Sequence, residues 1–372
     1  MMNPNLDALK LSGIRAYTNL AKTVPGCVML TLGEPDFDTP KAICDAAVTA
    51  LSSGMTHYAP NQGLPALRQA IAEAETRRGN PCTEANILIT AGATGAIFTA
   101  MLGVLTAGDE VVVPMPAFPL YQSIATIAGA KVVPLLTEDF QITNADLAGV
   151  ITEKTKLIVL NSPNNPTGSV LTQSSLDAVK KAVLGKDIYI LWDGVYQALS
   201  TEKLPDLSTD PAVKEQLLLC QSFSKPYAMT GWRIGYLAAP EKMLQKFLLL
   251  HAAELAAIPT FLQQACLTAL ETDISEMQET YAVRRAYACS RLRDMGLSFP
   301  EPKGAFYLFP DISRFGISDE DFCRRLILEG KVATVPGSCF GAPGYLRLSY
   351  ACDMDTLKTG LDRLERFIGG LL

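Results

Sequence analysis

Lys225 and Asp193 come at or shortly after the ends of apolar segments, where their charged groups could take part in chemistry. Lys225 comes shortly after the apolar run 217–220, and Arg233 follows it along the chain. A lysine that is desolvated beside another cation has a lowered pKa and becomes a usable nucleophile. Asp193 ends the apolar run 188–192, where a carboxylate requires a partner. Taken singly, the lysine could be a surface residue and the aspartate a helix cap, so the rest of the pattern has to decide.

A glycine-rich turn and an asparagine-rich turn add candidate binding elements. Residues 91–95 read Ala-Gly-Ala-Thr-Gly and open a predicted helix, whose free N–H groups and dipole would face an anion. The turn is not a Walker A loop, because no Gly-Lys-Ser/Thr follows, and it lacks the GxGxxG of a dinucleotide fingerprint. Residues 161–168 read Asn-Ser-Pro-Asn-Asn-Pro-Thr-Gly, which by itself could be a simple turn.

Strands and helices alternate over the part of the chain that carries these segments. The apolar runs that predict strands are 87–90, 110–113, 131–135, 157–160, 188–192, 217–220 and 234–237. Continuous apolar runs are typical of strands that are covered on both faces. Helical patterns lie between several of them, such as the segment from Ser174, a plausible N-cap, to residue 183. This alternation predicts an α/β domain with a largely parallel sheet.

The unusual clusters all follow the ends of predicted strands. They are 91–95, 114–118, 161–168, 193–196 and 222–225. In an open α/β sheet, ligands bind outside the carboxyl ends of the strands. Clusters that meet at this one edge therefore predict a single site.

The character of the chain changes after about residue 240. A long helical region, 241–295, precedes short strand-like pieces and two further predicted helices, namely 305–309, 318–329, 332–335, 346–348 and 355–369. This order predicts a smaller α+β domain that the N-terminal segment joins. We expect a large domain of residues 43–280 and a small domain of residues 1–42 and 281–372.

Composition and charge exclude several classes of protein. Of the 372 residues 48% are hydrophobic and 19% are charged, which is typical of a globular protein. The formal net charge of −6 leaves no basic stripe for nucleic acid, and no Lys/Arg block suggests a membrane surface. The uncharged stretch 85–108 is long enough to span a bilayer, but its threonines and glycines favour a buried strand and helix.

Cysteine and histidine usage points away from disulfides and metals. The nine cysteines are scattered without a CxxC pair, and His57 and His251 are the only histidines. Scattered cysteines suit reduced thiols in the cytoplasm, and residues 1–7 show no signal peptide. Neither a zinc site nor a Ser-His-Asp triad is expected.

The clusters together resemble the class I/II aminotransferases, which are fold type I enzymes that depend on pyridoxal 5'-phosphate (PLP). The similarity runs from Leu32-Gly33-Glu34-Pro35-Asp36-Phe37 to Leu346-Arg347-Leu348-Ser349-Tyr350, and it is most specific in 161–168 and 222–235. The resemblance implies PLP as cofactor and a homodimer. It also implies a large domain with a mostly parallel seven-stranded sheet between helices, plus a smaller α+β domain.

The resemblance assigns roles around the cofactor ring. Lys225 would form the Schiff base with PLP and then shuttle the proton of the substrate α-carbon. Asp193 would keep the pyridine nitrogen protonated, so that the ring accepts electrons. Asn165 and Tyr196 would hydrogen-bond the phenolate oxygen, and Phe118 would stack on the ring.

Phosphate binding is assigned in the same way. The backbone N–H groups of Ala93 and Thr94 would hold the phosphate, together with the Thr94 and Ser222 hydroxyls and the Arg233 guanidinium. Tyr58 would reach the phosphate in the site of the partner subunit. Through Tyr58, each site would depend on both subunits.

Arg347 would form a bidentate pair with the substrate α-carboxylate, helped by the Gly33 amide and by Asn165. The implied reaction is transfer of an amino group from an amino acid to a 2-oxo acid through pyridoxamine phosphate. Elimination or cyclisation of an amino acid would need the same residues, so both stay open as alternatives. A non-catalytic regulator and an NAD-dependent oxidoreductase are less consistent with the motifs.

Overall fold

Twelve strands form three sheets in the described residues 4–7, 9 and 13–371 of the computed structural model. Residues 1–3, 8, 10–12 and 372 lie outside the described residues. Residues 1–3 belong to the N-terminal segment that we expect to lack a signal peptide. The strands are β1 (Val28–Met29), β2 (Ile87–Thr90), β3 (Glu110–Pro114), β4 (Lys131–Leu135), β5 (Thr155–Asn161), β6 (Tyr189–Asp193), β7 (Leu217–Ser222), β8 (Gly235–Ala238), β9 (Tyr307–Leu308), β10 (Val332–Ala333), β11 (Val335–Pro336) and β12 (Leu346–Ser349).

The largest sheet has seven strands in the order β2-β8-β7-β6-β5-β3-β4. Strand β8 runs antiparallel to both of its neighbours, and the other pairs are parallel. The predicted fold class, a mostly parallel seven-stranded sheet within an α/β domain, is therefore confirmed. All seven strands lie at the predicted apolar runs, within two residues at each end.

Twelve α-helices accompany the strands in the described part of the chain. They are α1 (Gly13–Lys22), α2 (Lys41–Ser52), α3 (Pro65–Arg78), α4 (Gly92–Val104), α5 (Leu120–Ala128), α6 (Asn144–Val150), α7 (Gln173–Val183), α8 (Glu241–Leu255), α9 (Thr260–Leu270), α10 (Ser275–Asp294), α11 (Asp319–Arg325) and α12 (Met354–Gly369).

Helices cover the seven-stranded sheet on both faces. In β5, Leu157 and Val159 belong to the core cluster that includes residues of α4, α5 and α8. Ile158 and Leu160 belong to a second cluster, which includes residues of α2, α3, α7 and α9. Because successive side chains of a strand point to opposite faces, burial on both sides requires an unbroken apolar run.

The uncharged stretch 85–108 forms β2 and α4 with the turn between them, as the sequence indicated. Among the described residues, no helix combines the length and the apolar composition that crossing a bilayer would require.

Some helix boundaries differ from the prediction. The helical region 241–295 divides into α8, α9 and α10, and Pro259, which cannot continue a helix, is the N-cap of α9. The cap of α7 is Thr172 rather than Ser174, since the Thr172 hydroxyl accepts from the Ser175 N–H. The predicted helix 318–329 is α11 followed by a π-helical turn, Leu326–Gly330.

The C-terminal part contains two small sheets. Strands β11, β12 and β9 form an antiparallel sheet, and β1 from the N-terminal segment pairs with β10. Helix α10 runs through residues 280 and 281, the predicted domain boundary. From this helix Arg284 makes a bidentate hydrogen-bonded pair with Asp36, at 2.7 and 2.8 Å. The N-terminal segment is thereby fixed to α10.

Two helical glycines provide a matched test of the packing. A Cβ on Gly103 of α4 would lie 2.3 Å from Cε1 of the buried Phe247, whereas a Cβ on Gly149 of α6 would meet nothing within 4 Å. We expect Gly103→Ala to destabilise the protein by about 1–3 kcal/mol through overpacking. Gly149→Ala should stabilise it by about 0.5–1 kcal/mol through helix propensity. Urea unfolding followed by circular dichroism measures both; equal shifts in the same direction would contradict the packing assignment.

Candidate active site

Three neighbouring strands deliver polar residues to one edge of the large sheet. Asn161 ends β5, Asp193 ends β6 and Ser222 ends β7, and Asn161 lies beside Asp193 in the strand register. The three strands are parallel, so their carboxyl ends meet at the same edge. The clusters predicted at this edge are thus brought together.

A cavity of about 250 Å³ lies at this edge. It is lined by every predicted site residue except Tyr58, namely Gly33, Ala93, Thr94, Phe118, Asn165, Asp193, Tyr196, Ser222, Lys225, Arg233 and Arg347. Most of these residues belong to the part of the chain that forms the large sheet. Gly33 comes from the N-terminal segment and Arg347 from β12 of the small antiparallel sheet. The cavity therefore joins parts of the chain that are far apart in sequence.

Asp193 is buried and accepts hydrogen bonds from uncharged donors. The Tyr121 hydroxyl donates to Oδ2 at 2.6 Å, and the Val195 N–H donates to Oδ1 at 3.3 Å. Burial raises the pKa of the Asp193 carboxyl to about 6, although both hydrogen bonds oppose the shift. A cationic N–H at the cavity would favour the ionised carboxylate.

Lys225 follows β7 and directs its amine into the same cavity. Its Nζ donates a hydrogen bond to the Gly33 carbonyl and lies 6.0 Å from the centroid of the Tyr196 ring. Desolvation lowers the pKa of the Lys225 amine to about 8, and Arg233 and Arg347 contribute to the lowering. A substantial neutral fraction near physiological pH makes this amine a nucleophile and a base.

Arg347 lies buried between the large and small sheets. Its Nη1 donates to Asn165 Oδ1 at 3.0 Å, its Nη2 donates to the Thr31 carbonyl at 2.7 Å, and its guanidinium lies 4.5 Å from the centroid of the Tyr307 ring. Burial lowers the pKa of Arg347. Its Nε has no hydrogen-bond partner among the described residues. A buried, unmatched donor of this kind fits a carboxylate ligand.

The N-terminus of α4 forms a cradle for an anion. Gly92 begins this helix, and a Cβ added there would lie 2.9 Å from Nη2 of Arg233. Gly235 is equally restricted, because a Cβ there would lie 2.7 Å from the Gly92 carbonyl carbon. The close approach of the Arg233 guanidinium to the helix N-terminus is suited to a phosphate.

Three residues at the site were not singled out from the sequence. The Tyr121 hydroxyl donates to Asp193, and its position three residues after Phe118 is a signal that could have indicated it. Asn161 Oδ1 accepts from the Asn165 N–H at 2.8 Å and so orients that turn. Tyr307 Oη lies 2.9 Å from Tyr196 Oη, and nothing in the sequence indicated the direction of this side chain.

Tyr58 lies outside this cavity. Its side chain is 93% exposed, and it lines a second cavity of about 400 Å³ together with His57 and the segment 257–261. Within one subunit Tyr58 is therefore not part of the site.

Comparisons with known proteins agree with this architecture. The chain matches the family described as aminotransferase class I and II over residues 25–364. It is 37% identical to a probable N-acetyl-LL-diaminopimelate aminotransferase of Bacillus subtilis, covering 99% of this chain and 96% of that protein. It is 36% identical to an aspartate aminotransferase of Pyrococcus abyssi, covering 99% and 98%. The crystal structure of aspartate aminotransferase from Thermotoga maritima superposes with a TM-score of 0.95 at 34% identity, covering 99% of this chain and 100% of that chain.

The fold and the relatives define a fold type I enzyme that uses PLP. The chain belongs to the aminotransferase class I and II family. It transfers an amino group from an amino acid to a 2-oxo acid, and elimination or cyclisation is not favoured by the relatives. The residues present fit the cofactor, since the cavity combines an amine, a buried carboxylate and an anion cradle.

The lowered pKa of Lys225 predicts how the apoenzyme takes up its cofactor. Only the neutral amine is nucleophilic, so uptake of PLP should accelerate as pH rises and be half-maximal near pH 8. Stopped-flow absorbance of apoenzyme mixed with PLP measures this rate. Lys225→Ala serves as the control, with no covalent uptake at any pH. A midpoint near 10.5, the ordinary lysine value, would contradict the assignment.

Proposed function

We propose that the reaction runs in the cavity between Asp193, Lys225 and Arg347, with each residue serving one part of the bound reactants. The proposal is supported by one observation above all: an amine, a carboxylate and a guanidinium line a single cavity of about 250 Å³. When bound, PLP supplies an electron sink that stabilises negative charge at the substrate α-carbon.

Lys225 holds the cofactor covalently and moves the proton at the substrate α-carbon. Its pKa of about 8 suits this task, because a base is most effective when its pKa is close to the working pH. Asp193 binds the protonated ring nitrogen. The Tyr121 hydroxyl and the Val195 N–H donate to its carboxylate and orient it, but neither carries a positive charge. A buried carboxylate is stabilised by a cationic partner, and the protonated ring nitrogen would provide one.

The remaining ring contacts come from Asn165, Tyr196 and Phe118. Asn165 and Tyr196 would hydrogen-bond the phenolate oxygen of the cofactor, and Phe118 would pack against the ring. All three line the cavity beside Asp193. Together they fix the orientation of the ring relative to Lys225.

The N-terminus of α4 would hold the phosphate of the cofactor. Its ligands are the N–H groups of Ala93 and Thr94, the hydroxyls of Thr94 and Ser222, and Arg233. The proximity of the Arg233 guanidinium to Gly92 supports this placement.

Arg347 binds the α-carboxylate of the amino acid, aided by Gly33 and Asn165. Its Nε has no partner in the described part of the chain, and its hydrogen bond to Asn165 orients the guanidinium before a substrate arrives; both support the assignment. A lysine would not reproduce this planar arrangement of donors.

The enzyme is proposed to be a homodimer in which Tyr58 contributes to the phosphate site of the partner subunit. Its ring is 93% exposed in the single chain, which is unusual for an aromatic side chain beside a cavity. We also propose the division into residues 43–280 and residues 1–42 with 281–372, and a cytoplasmic location, which the nine free cysteines support.

Amino transfer can be tested directly. Purified enzyme with PLP, an amino donor and 2-oxoglutarate, pyruvate or oxaloacetate should form the matching amino acid without releasing ammonia. Lys225→Ala should lower the rate by several orders of magnitude and lose the cofactor adduct that borohydride fixes. Lys242→Ala, an exposed lysine in α8, is the control and should behave as the wild type. Ammonia released without an acceptor would overturn the proposal.

Shared sites predict complementation between two defective variants. Tyr58→Ala and Lys225→Ala homodimers should each be weakly active or inactive. Mixed dimers contain one site with an intact Lys225 from one subunit and an intact Tyr58 from the other, so activity should reappear after subunit exchange. The rate of amino transfer before and after mixing measures it. Absence of recovery in a sample shown by mass spectrometry to contain mixed dimers would refute the shared site.

A further inference from the structure

The hydroxyl groups of Tyr196 and Tyr307 form a buried pair at the cavity. The two oxygens lie 2.9 Å apart, and the rings meet edge to face with centroids 5.7 Å apart. Both side chains are buried, at 5% and 1% exposure. Each residue lines the cavity beside Lys225 and Arg347.

We propose that Tyr307 is a positioning residue whose hydroxyl donates to Tyr196 Oη and thereby directs the Tyr196 proton to the phenolate oxygen of the cofactor. The inference rests on the proposed function, which gives Tyr196 that contact. A hydroxyl has one proton to donate. If Tyr196 donated it to Tyr307, it could not donate to the cofactor.

The contact of Arg347 with the Tyr307 ring favours the Tyr307 hydroxyl as the donor of the pair. The guanidinium lies 4.5 Å from the centroid of the Tyr307 ring, and a cation against a phenol makes the hydroxyl more acidic and the better donor. Burial raises the pKa of Tyr307, and both Arg347 and the hydrogen bond with Tyr196 oppose that rise. Burial raises the pKa of Tyr196 well above its usual value; there Tyr307 and Asp193 add to the rise, and Arg347 opposes it.

The position of the Tyr307 hydroxyl is fixed from several sides. Strand β9 pairs with β12 so that Tyr307 lies opposite Ser349. A Cβ on Gly33 would lie 2.7 Å from Tyr307 Oη, so the absence of a side chain at Gly33 leaves room for this hydroxyl. The Phe306 ring packs at 4.8 Å from the Tyr307 ring. Because the Tyr307 side chain is already held in place, its hydroxyl can donate to Tyr196 Oη without a further loss of side-chain freedom.

The test is a pH titration of the visible absorbance of the holoenzyme. A donor to the phenolate stabilises its negative charge and weakens its attraction for the protonated nitrogen that joins Lys225 to the cofactor. Tyr307→Phe keeps the ring but removes the hydrogen bond that Tyr196 Oη accepts. Tyr196 then becomes a weaker donor to the phenolate, so the pKa of the nitrogen that joins Lys225 to the cofactor, which the spectral transition reports, should rise by about 0.5–1 unit.

Two comparisons isolate the role of the hydroxyl. Tyr281 is also buried against Phe306, with its hydroxyl unpartnered among the described residues, so Tyr281→Phe should leave the transition unchanged. Tyr196→Phe removes the group through which Tyr307 acts. Adding Tyr307→Phe to that variant should therefore cause no further shift.

The outcomes are distinct. An unchanged transition in Tyr307→Phe would overturn the inference, and so would a shift that persists in the Tyr196→Phe background. A raised KM for the amino donor without a spectral shift would instead place the Tyr307 hydroxyl on the substrate carboxylate and overturn the relay. If wild-type protein with PLP showed no visible band, the proposed function itself would fail.

Discussion

The candidate site is built on charged groups that the protein removes from water without giving them a full set of charged partners. Burial raises the pKa of Asp193 to about 6, lowers that of Lys225 to about 8 and lowers that of Arg347. Each shift favours the neutral form, and the desolvation of such groups costs about several kcal/mol apiece. A cofactor with a cationic nitrogen and a substrate with a carboxylate would give Asp193 and Arg347 their partners, and the neutral amine of Lys225 could react with an aldehyde of the cofactor. Asp193 and Arg347 would therefore be complementary in charge to the proposed cofactor and substrate before these bind.

The scaffold holds these groups by two different means. Asp193 and Lys225 belong to the rigid edge of the parallel sheet, where β6 and β7 are covered on both faces by helices. Arg347 and Tyr307 come instead from β12 and β9 of the small antiparallel sheet. The hydrogen bond from Arg347 to Asn165 connects the two regions across the cavity. The part of the site that would recognise the substrate carboxylate is thus carried by a different structural unit from the part that would hold the cofactor ring.

The N-terminal segment completes the site from a third direction. Gly33 provides the carbonyl that accepts from Lys225 Nζ, and the bidentate pair between Asp36 and Arg284 anchors the segment to α10. Thr31 adds the carbonyl that accepts from Arg347. Because Lys225 and Arg347 both bond to this segment, its position is coupled to the two groups that would meet the substrate.

The sequence by itself determined the seven strands of the large sheet and placed the predicted site residues after the carboxyl ends of these strands. An unbroken apolar run such as 157–160 has few alternatives to a doubly covered strand, and carboxyl ends of parallel strands meet at one edge. Helix boundaries followed less well from the periodicity: the region 241–295 divides into three helices, and Pro259, at the start of the second, was a local signal that the periodicity did not include. Tyr121 and Tyr307 became part of the site only through tertiary packing. Tyr307 of β9 meets the hydroxyl of Tyr196, which lies 111 residues earlier in the chain. The direction in which such an aromatic side chain points depends on contacts between distant segments, and a local sequence pattern does not contain this information.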